Sequence, residues 1–177
     1  RLVLNNCNLE LGACCTSFTT GAAYKDLVYV GNGNYTFTST LTTNMTGVTR
    51  VTANILSTSL AYSAASCGTN GPVNSYVTGA QPMAGFTPTL PVPNGDEVIW
   101  SNSSGANLSS GVNFSFNIKF PYPPPATGNC VDYLSFCIKY SFTDGNCRTC
   151  EVIRCFGPIQ RGGPSPVNNN NVIRDPN

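Results

Sequence analysis

The sequence predicts an all-β domain, an antiparallel β-sandwich, on three observations. Apolar and polar side chains alternate with a two-residue period in several stretches. Asn-Gly and Asp-Gly pairs punctuate those stretches. No window of helix length carries a helical period.

The clearest strand is GVNFSFNIKF, residues 111–120, in which Val112, Phe114, Phe116, Ile118 and Phe120 share one face. Asn113, Ser115, Asn117 and Lys119 take the other. Successive strand side chains point to opposite faces, so this segment packs one side on a core and wets the other. NYTFTSTLT, residues 34–42, sets Tyr35, Phe37 and Leu41 against Thr36, Thr38, Thr40 and Thr42. TRVTANIL, residues 49–56, places Val51, Ala53 and Ile55 together, and EVIWS, residues 97–101, is a further short strand.

Asn32-Gly33, Asn94-Gly95 and Asp144-Gly145 are hairpin turns in this reading, because both residues tolerate positive φ. CGTNGPV, residues 67–73, is another turn. Short strands with such turns predict an Ig-like or jelly-roll-like sandwich and leave the strand order open. FPYPPPATG, residues 120–128, reads as a long connection inside one domain. The expected organisation is an extended segment at 1–15, the sandwich at 16–157 and a Gly/Pro/Asn-rich tail at 158–177.

A chain of 177 residues is one ordinary domain. Charged residues are 10% of it and the net charge is +1, so neither a nucleic-acid footprint nor a polybasic membrane patch is expected. No apolar run is long enough for a transmembrane segment. The polar surface comes from Asn, Thr and Ser, which suits an extracellular or cell-surface protein. The chain begins at Arg1 without a charged-then-apolar leader, and a mature exported chain is the expectation.

Histidine is absent. That removes Ser-His-Asp and Cys-His nucleophilic sites and His-based metal ligation. Catalysis would rest on the eight carboxylates, on cysteine or on Ser/Lys chemistry, and no enzyme is expected. Asp96-Glu97 is an adjacent acidic pair, while Glu10, Asp132 and Glu151 are scattered. VGNGNYT, residues 30–36, has no following GK[ST] and is a turn rather than a phosphate loop. No cofactor is expected.

Of nine cysteines, Cys130, Cys137, Cys147, Cys150 and Cys155 crowd the C-terminal third, spaced C-x6-C-x9-C-x2-C-x4-C. A zinc site built from paired C-x2-C motifs does not fit, since only Cys147 and Cys150 form such a pair. Their C-x-x-C lies beyond a hairpin turn, not at the helix start that redox chemistry uses. If Asp144-Gly145 is a two-residue turn, Cys137 faces Val152 and Cys150 faces Lys139. Cys137 and Cys150 then share a face, with Cys155 on the other. Turn length shifts this register, so no pairs are assigned. The nine, completed by Cys7, Cys14, Cys15 and Cys67, are disulfide candidates, and their odd number leaves at least one thiol free or bonded between chains.

CIKYSFTDGNCRTCEVIRCF, residues 137–156, combines an aromatic strand, a T-D-x-x-C turn and a C-x-x-C start to the next strand. With the preceding residues from Cys130, it resembles the cysteine-bearing terminal hairpins of secreted surface proteins of Bacteroidota-type bacteria. The resemblance implies export, a β-sandwich and a surface or fibre role. It carries over no catalytic residue.

Two further sets complete the reading. Trp100, Tyr62, Tyr76 and Tyr122 would form a sugar-stacking platform if exposed together, or else pack in the core or loops. Asn34, Asn44, Asn102, Asn107 and Asn113 open N-x-[ST] sequons and are candidate glycan acceptors. Leu2, Val3 and Leu4 near the start, with Val172 and Ile173 in the tail, are candidate assembly residues by strand addition.

The function expected is a subunit that self-assembles into a surface filament, pilus-like fibre or coat, hence a homo-oligomer or polymer. The alternative is a secreted carbohydrate-binding or adhesion module with glycan partners. A carboxylate-dependent hydrolase comes third.

Overall fold

The computed structural model describes residues 23–120 and 130–161. The strands are β1 (Ala23–Gly31), β2 (Asn34–Leu41), β3 (Val48–Tyr62), β4 (Gly71–Pro72), β5 (Tyr76–Ala80), β6 (Thr87–Thr89), β7 (Glu97–Ala106), β8 (Val112–Lys119), β9 (Asp132–Asp144) and β10 (Thr149–Arg161). A single 3-10 turn, Ala65–Cys67, interrupts the described strands. They form two antiparallel sheets: β1-β2-β8-β5 and β10-β9-β3-β7-β6, with β4 on the end of β3. The all-β, two-sheet expectation holds.

The inner faces meet in an aromatic core. Phe37 on β2 packs edge-on against Phe116 of β8 at 5.6 Å between ring centroids, Phe136 of β9 at 5.1 Å and Phe156 of β10 at 5.0 Å. Alternation along β2 and β8 buries Phe37, Leu41, Phe114, Phe116 and Ile118 while the intervening Thr, Ser and Asn side chains stay half-buried or exposed. One polar pair crosses this core: Ser39 Oγ and Tyr140 Oη lie 2.7 Å apart, both residues fully buried. Burial, only partly offset by this hydrogen bond, holds the Tyr140 phenol well above the ordinary tyrosine range.

At Asn32-Gly33 both residues have positive φ, +52° and +76°, the signature of the expected two-residue turn between β1 and β2. A Cβ on Gly33 would sit 2.6 Å from the Phe120 carbonyl oxygen, so glycine is required there on two counts. Asn94 also has positive φ, +55°, in a Val92–Gly95 turn closed by Gly95 N–H to Val92 O.

The last hairpin departs from the expected register. Its loop is Gly145–Asn146–Cys147, closed by Asp144 N–H to Arg148 O, with Cys147 in the left-handed region at φ +63°. Asp144 Oδ1 accepts from the backbone N–H groups of Asn146 and Arg148, while Oδ2 accepts from the Arg148 guanidinium at 2.7 Å. This carboxylate-capped loop displaces a two-residue turn. Cys137 therefore faces Cys155, not Val152, and Cys150 faces Phe142, not Lys139. The displacement is odd, so faces exchange: Cys155 joins Cys137 on the outer face, and Cys150 turns inward and is fully buried.

Disulfides join Cys137 to Cys155 across β9 and β10, and Cys67 to Cys130 across a sequence separation of 63. Cys147 and Cys150 are disulfide-bonded as well. The described cysteines are thus staples. Cys7, Cys14 and Cys15 lie outside the described residues, as do Tyr122, Glu10 and the assembly candidates Leu2, Val3, Leu4, Val172 and Ile173.

Candidate functional site

The outer face of the first sheet is a lattice of neutral hydrogen-bonding groups. Thr36, Thr38 and Thr40 of β2 stand opposite Asn117, Ser115 and Asn113 of β8. Thr36 Oγ1 donates to Asn117 Oδ1 at 2.9 Å, Thr40 Oγ1 donates to Asn113 Oδ1 at 2.7 Å, and Thr38 and Ser115 share a hydroxyl contact. Cross-strand pairs of this kind stabilise the sheet.

At one end this lattice opens into a cleft of about 400 Å³ lined by Val30 and Gly31 of β1, Asn32 of the turn, Asn34 of β2, Tyr76 and Thr78 of β5, Asn94, and Asn117 and Lys119 of β8. That volume is in the range of small-ligand clefts, roughly 300–1,000 Å³. Strand ends and turns converge there because β1–β2 turns at Asn32-Gly33 while β8 ends and β5 begins at the same level: Lys119 pairs with both Asn34 and Tyr76. Asn34 braces the floor. Its Nδ2 donates to Gly31 O at 3.3 Å, and its Oδ1 accepts from Thr78 Oγ1 at 3.1 Å, across the intervening β8. Side-chain amides each donate and accept, which matches the hydroxyl groups of a polyol. Val30 and Tyr76 supply apolar surface beside them.

The sugar-stacking platform is corrected. Trp100 is fully buried, 5.1 Å from the Phe114 ring and 6.0 Å from Phe116, with Nε1–H donating to Gln81 O at 3.0 Å. It sits at an inward position of β7, between Ile99 and Ser101, so alternation carries it into the core. Tyr62 is half-buried, its ring lying over Gly68. Of the aromatics proposed for the platform, Tyr76 lines the cleft.

The sequons divide by position. Asn34 is engaged in the cleft floor, and Asn102 is half-buried, its Oδ1 accepting from Ser104 N–H. Asn44, Asn107 and Asn113 are exposed, with Asn107 Oδ1 accepting from Gly47 N–H. These last cluster at the opposite end of the sheet from the cleft, where β2 ends and β8 begins.

Two carboxylates, Glu151 and Asp144, are committed to partners away from the cleft. Glu151 on the outer face of the second sheet takes Lys139 at 3.4 Å and the Ser141 hydroxyl at 3.0 Å. Asp144 caps its turn. Burial opposes its ionisation, but the Arg148 guanidinium hydrogen bond, the backbone N–H donors of Arg148 and Asn146 and the Arg148 charge together outweigh it and hold the carboxyl below its ordinary range. Asp132 is fully buried at the start of β9, while Asp96 precedes β7 and Glu97 opens it.

No protein-family model matches the sequence, and no curated protein matches it. Among solved structures, the chain is similar to an uncharacterised protein from Nocardia farcinica with an immunoglobulin-like fold, at 14% identity and a TM-score of 0.39, over 82% of this chain and 90% of that one. It is also similar to the chitin-binding domain of Chi18aC from Streptomyces coelicolor, at 19% identity and a TM-score of 0.32, over 64% of this chain and 88% of that one. A DUF4466 family protein from Parabacteroides merdae is similar at 11% identity and a TM-score of 0.33, over 80% of this chain and 44% of that one.

Asn32, Asn94, Thr78, Asn117 and Lys119 were not singled out as site residues from the sequence. The turn pairs marked Asn32 and Asn94, and the alternation of β8 put Asn117 and Lys119 on the polar face. Their convergence needed the sheet order.

Proposed function

We propose that this chain is a secreted, non-enzymatic carbohydrate-binding or adhesion module that takes saccharide in the amide-lined cleft of its first sheet. The observation that carries this reading is the company of Asn32, Asn34, Asn94, Asn117 and Thr78 with Tyr76 and Val30 in one open cleft. The amides serve ring hydroxyls, and the Tyr76 ring and Val30 serve the apolar face of a pyranose. Disulfide bonds accord with an oxidising, extracellular location. No helix among the described residues is long and apolar enough to cross a membrane.

The test is a glycan array followed by titration calorimetry on each hit. Asn117→Ala and Tyr76→Ala are expected to weaken binding about tenfold each, with thermal unfolding of the variants checked alongside. An array without hits, or hits whose affinity neither substitution changes, overturns the reading.

A second reading, self-assembly into a filament, is favoured by one feature. On β1, an edge strand of the first sheet among the described residues, Val28, Tyr29 and Val30 are 40%, 50% and 56% exposed. An apolar edge strand is a template for pairing with another chain. Negative-stain electron microscopy of unreduced protein at rising concentration separates the readings: regular filaments support assembly, and uniform single particles overturn it.

A further inference from the structure

Among the residues lining the cleft there is one charge, and it is positive. Lys119 stands at the end of β8 between Asn34 and Tyr76, half-buried, with the amides of Asn34 and Asn117 and the Thr78 hydroxyl around it. Among the described residues, no carboxylate lines the cleft. The other lysines and arginines with resolved ion pairs behave differently: Lys139 is bridged to Glu151 and Arg148 to Asp144. The two acids nearest along the chain to a lining residue, Asp96 and Glu97, follow Asn94 but do not line the cleft.

We infer that the cleft selects an anionic pyranoside, a sugar ring carrying a carboxylate or sulfate group that pairs with Lys119 while the ring hydroxyls meet Asn32, Asn34, Asn94 and Asn117. This rests on the saccharide-binding reading and adds the charge class of the ligand. An ammonium in a neutral, hydrogen-bonding surround has unused donors, and a ligand anion satisfies them with charge-assisted bonds that a hydroxyl cannot equal. The amides are neutral, so they neither repel the anion nor replace the lysine. Carboxylate and sulfate share this chemistry, and the probes below tell them apart.

The experiment measures binding of the whole disulfide-intact chain to a tetra-uronate, to its carboxyl-reduced neutral counterpart and to a sulfated form of that neutral sugar. At low salt one or both anionic probes are expected to bind about fivefold tighter than the neutral one, the scale of a single partly exposed ion pair. That preference is expected to shrink as salt rises toward 0.5 M. Lys119→Gln is expected to bring anionic and neutral probes level. Asn117→Ala, in contrast, is expected to weaken all probes and keep the anionic preference. Equal binding of all three probes by the unsubstituted chain overturns the inference and leaves saccharide binding standing. So does an anionic preference that survives Lys119→Gln. No binding of any probe overturns the inference together with the saccharide reading on which it rests.

Discussion

Replacing Ser39 by alanine strips the Tyr140 phenol of a hydroxyl 2.7 Å away, in a part of the core where neither residue reaches water. A buried donor left without its partner costs its full desolvation, about 1–3 kcal/mol. Tyr140→Phe removes the same hydrogen bond but also the group that needs it, leaving only the small serine hydroxyl behind, for about 1 kcal/mol. In the double variant both polar groups are gone and the ring volume is kept, so the two costs do not add. The expected order is Ser39→Ala most destabilised, at about 2 kcal/mol, with the double variant no worse than Tyr140→Phe. A coupling of about 1–2 kcal/mol follows, in the range typical of residues in direct contact. Urea unfolding with disulfides intact gives the free energies, and thermal unfolding is expected to fall by about 4–8 °C for Ser39→Ala. Strict additivity of the two single changes, or a neutral Ser39→Ala, would refute the argument that this pair is satisfied only by itself.

Further outcomes are expected elsewhere in the fold. The Tyr140 phenol is held above its unfolded pKa, so its contribution to stability is intact below about pH 10 and lost as pH rises beyond it. Urea midpoints measured from pH 8 to 12 should fall above pH 10, less steeply in Tyr140→Phe. Asp144 is held below its ordinary range, so its contribution is present above about pH 4 and disappears as pH falls through the lower folded value. Asp144→Asn should lose about 1 kcal/mol at pH 7 and show a flatter acid limb. In the loop-entropy account, opening Cys67–Cys130, with its separation of 63, should cost about 4 kcal/mol, against about 3 for Cys137–Cys155 at 18, read from urea midpoints of the paired serine variants. The single tryptophan, Trp100, should emit at short wavelength, resist iodide quenching and stay unchanged when saccharide binds. Ready quenching would place it at the surface and contradict the core described here.

What was legible in the sequence was local. The alternation of 111–120 named the buried face of β8 correctly, and Asn32-Gly33 announced a turn that the backbone adopts. The β1 segment AYKDLVYVG was not read as a strand, because its polar and apolar residues do not alternate cleanly and its pairing with β2 carries irregularities. The Asp144 turn misled for a definite reason. Asp-Gly favours a two-residue turn, yet Asp144 gains more by accepting from Asn146 and Arg148, which requires the longer loop and a left-handed Cys147. Trp100 is ambiguous to composition, since an aromatic beside polar residues suits either a platform or a core, and only its strand phase decides. The cleft is the least legible feature. Its residues come from β1, β2, β5, β8 and two turns, and no sequence spacing brings Asn94 to Asn32.

The bridge from Cys67 to Cys130 closes a covalent ring that contains β4 through β8, and the bridge from Cys137 to Cys155 closes a second ring around the last turn. A protease that cuts once within either ring releases no fragment: both new ends stay attached through sulfur to the rest of the chain. The cleft strands β5 and β8 lie inside the first ring, so a single nick there leaves the cleft's components tethered at high effective concentration. Damage of that kind changes the number of chain ends without dispersing the parts.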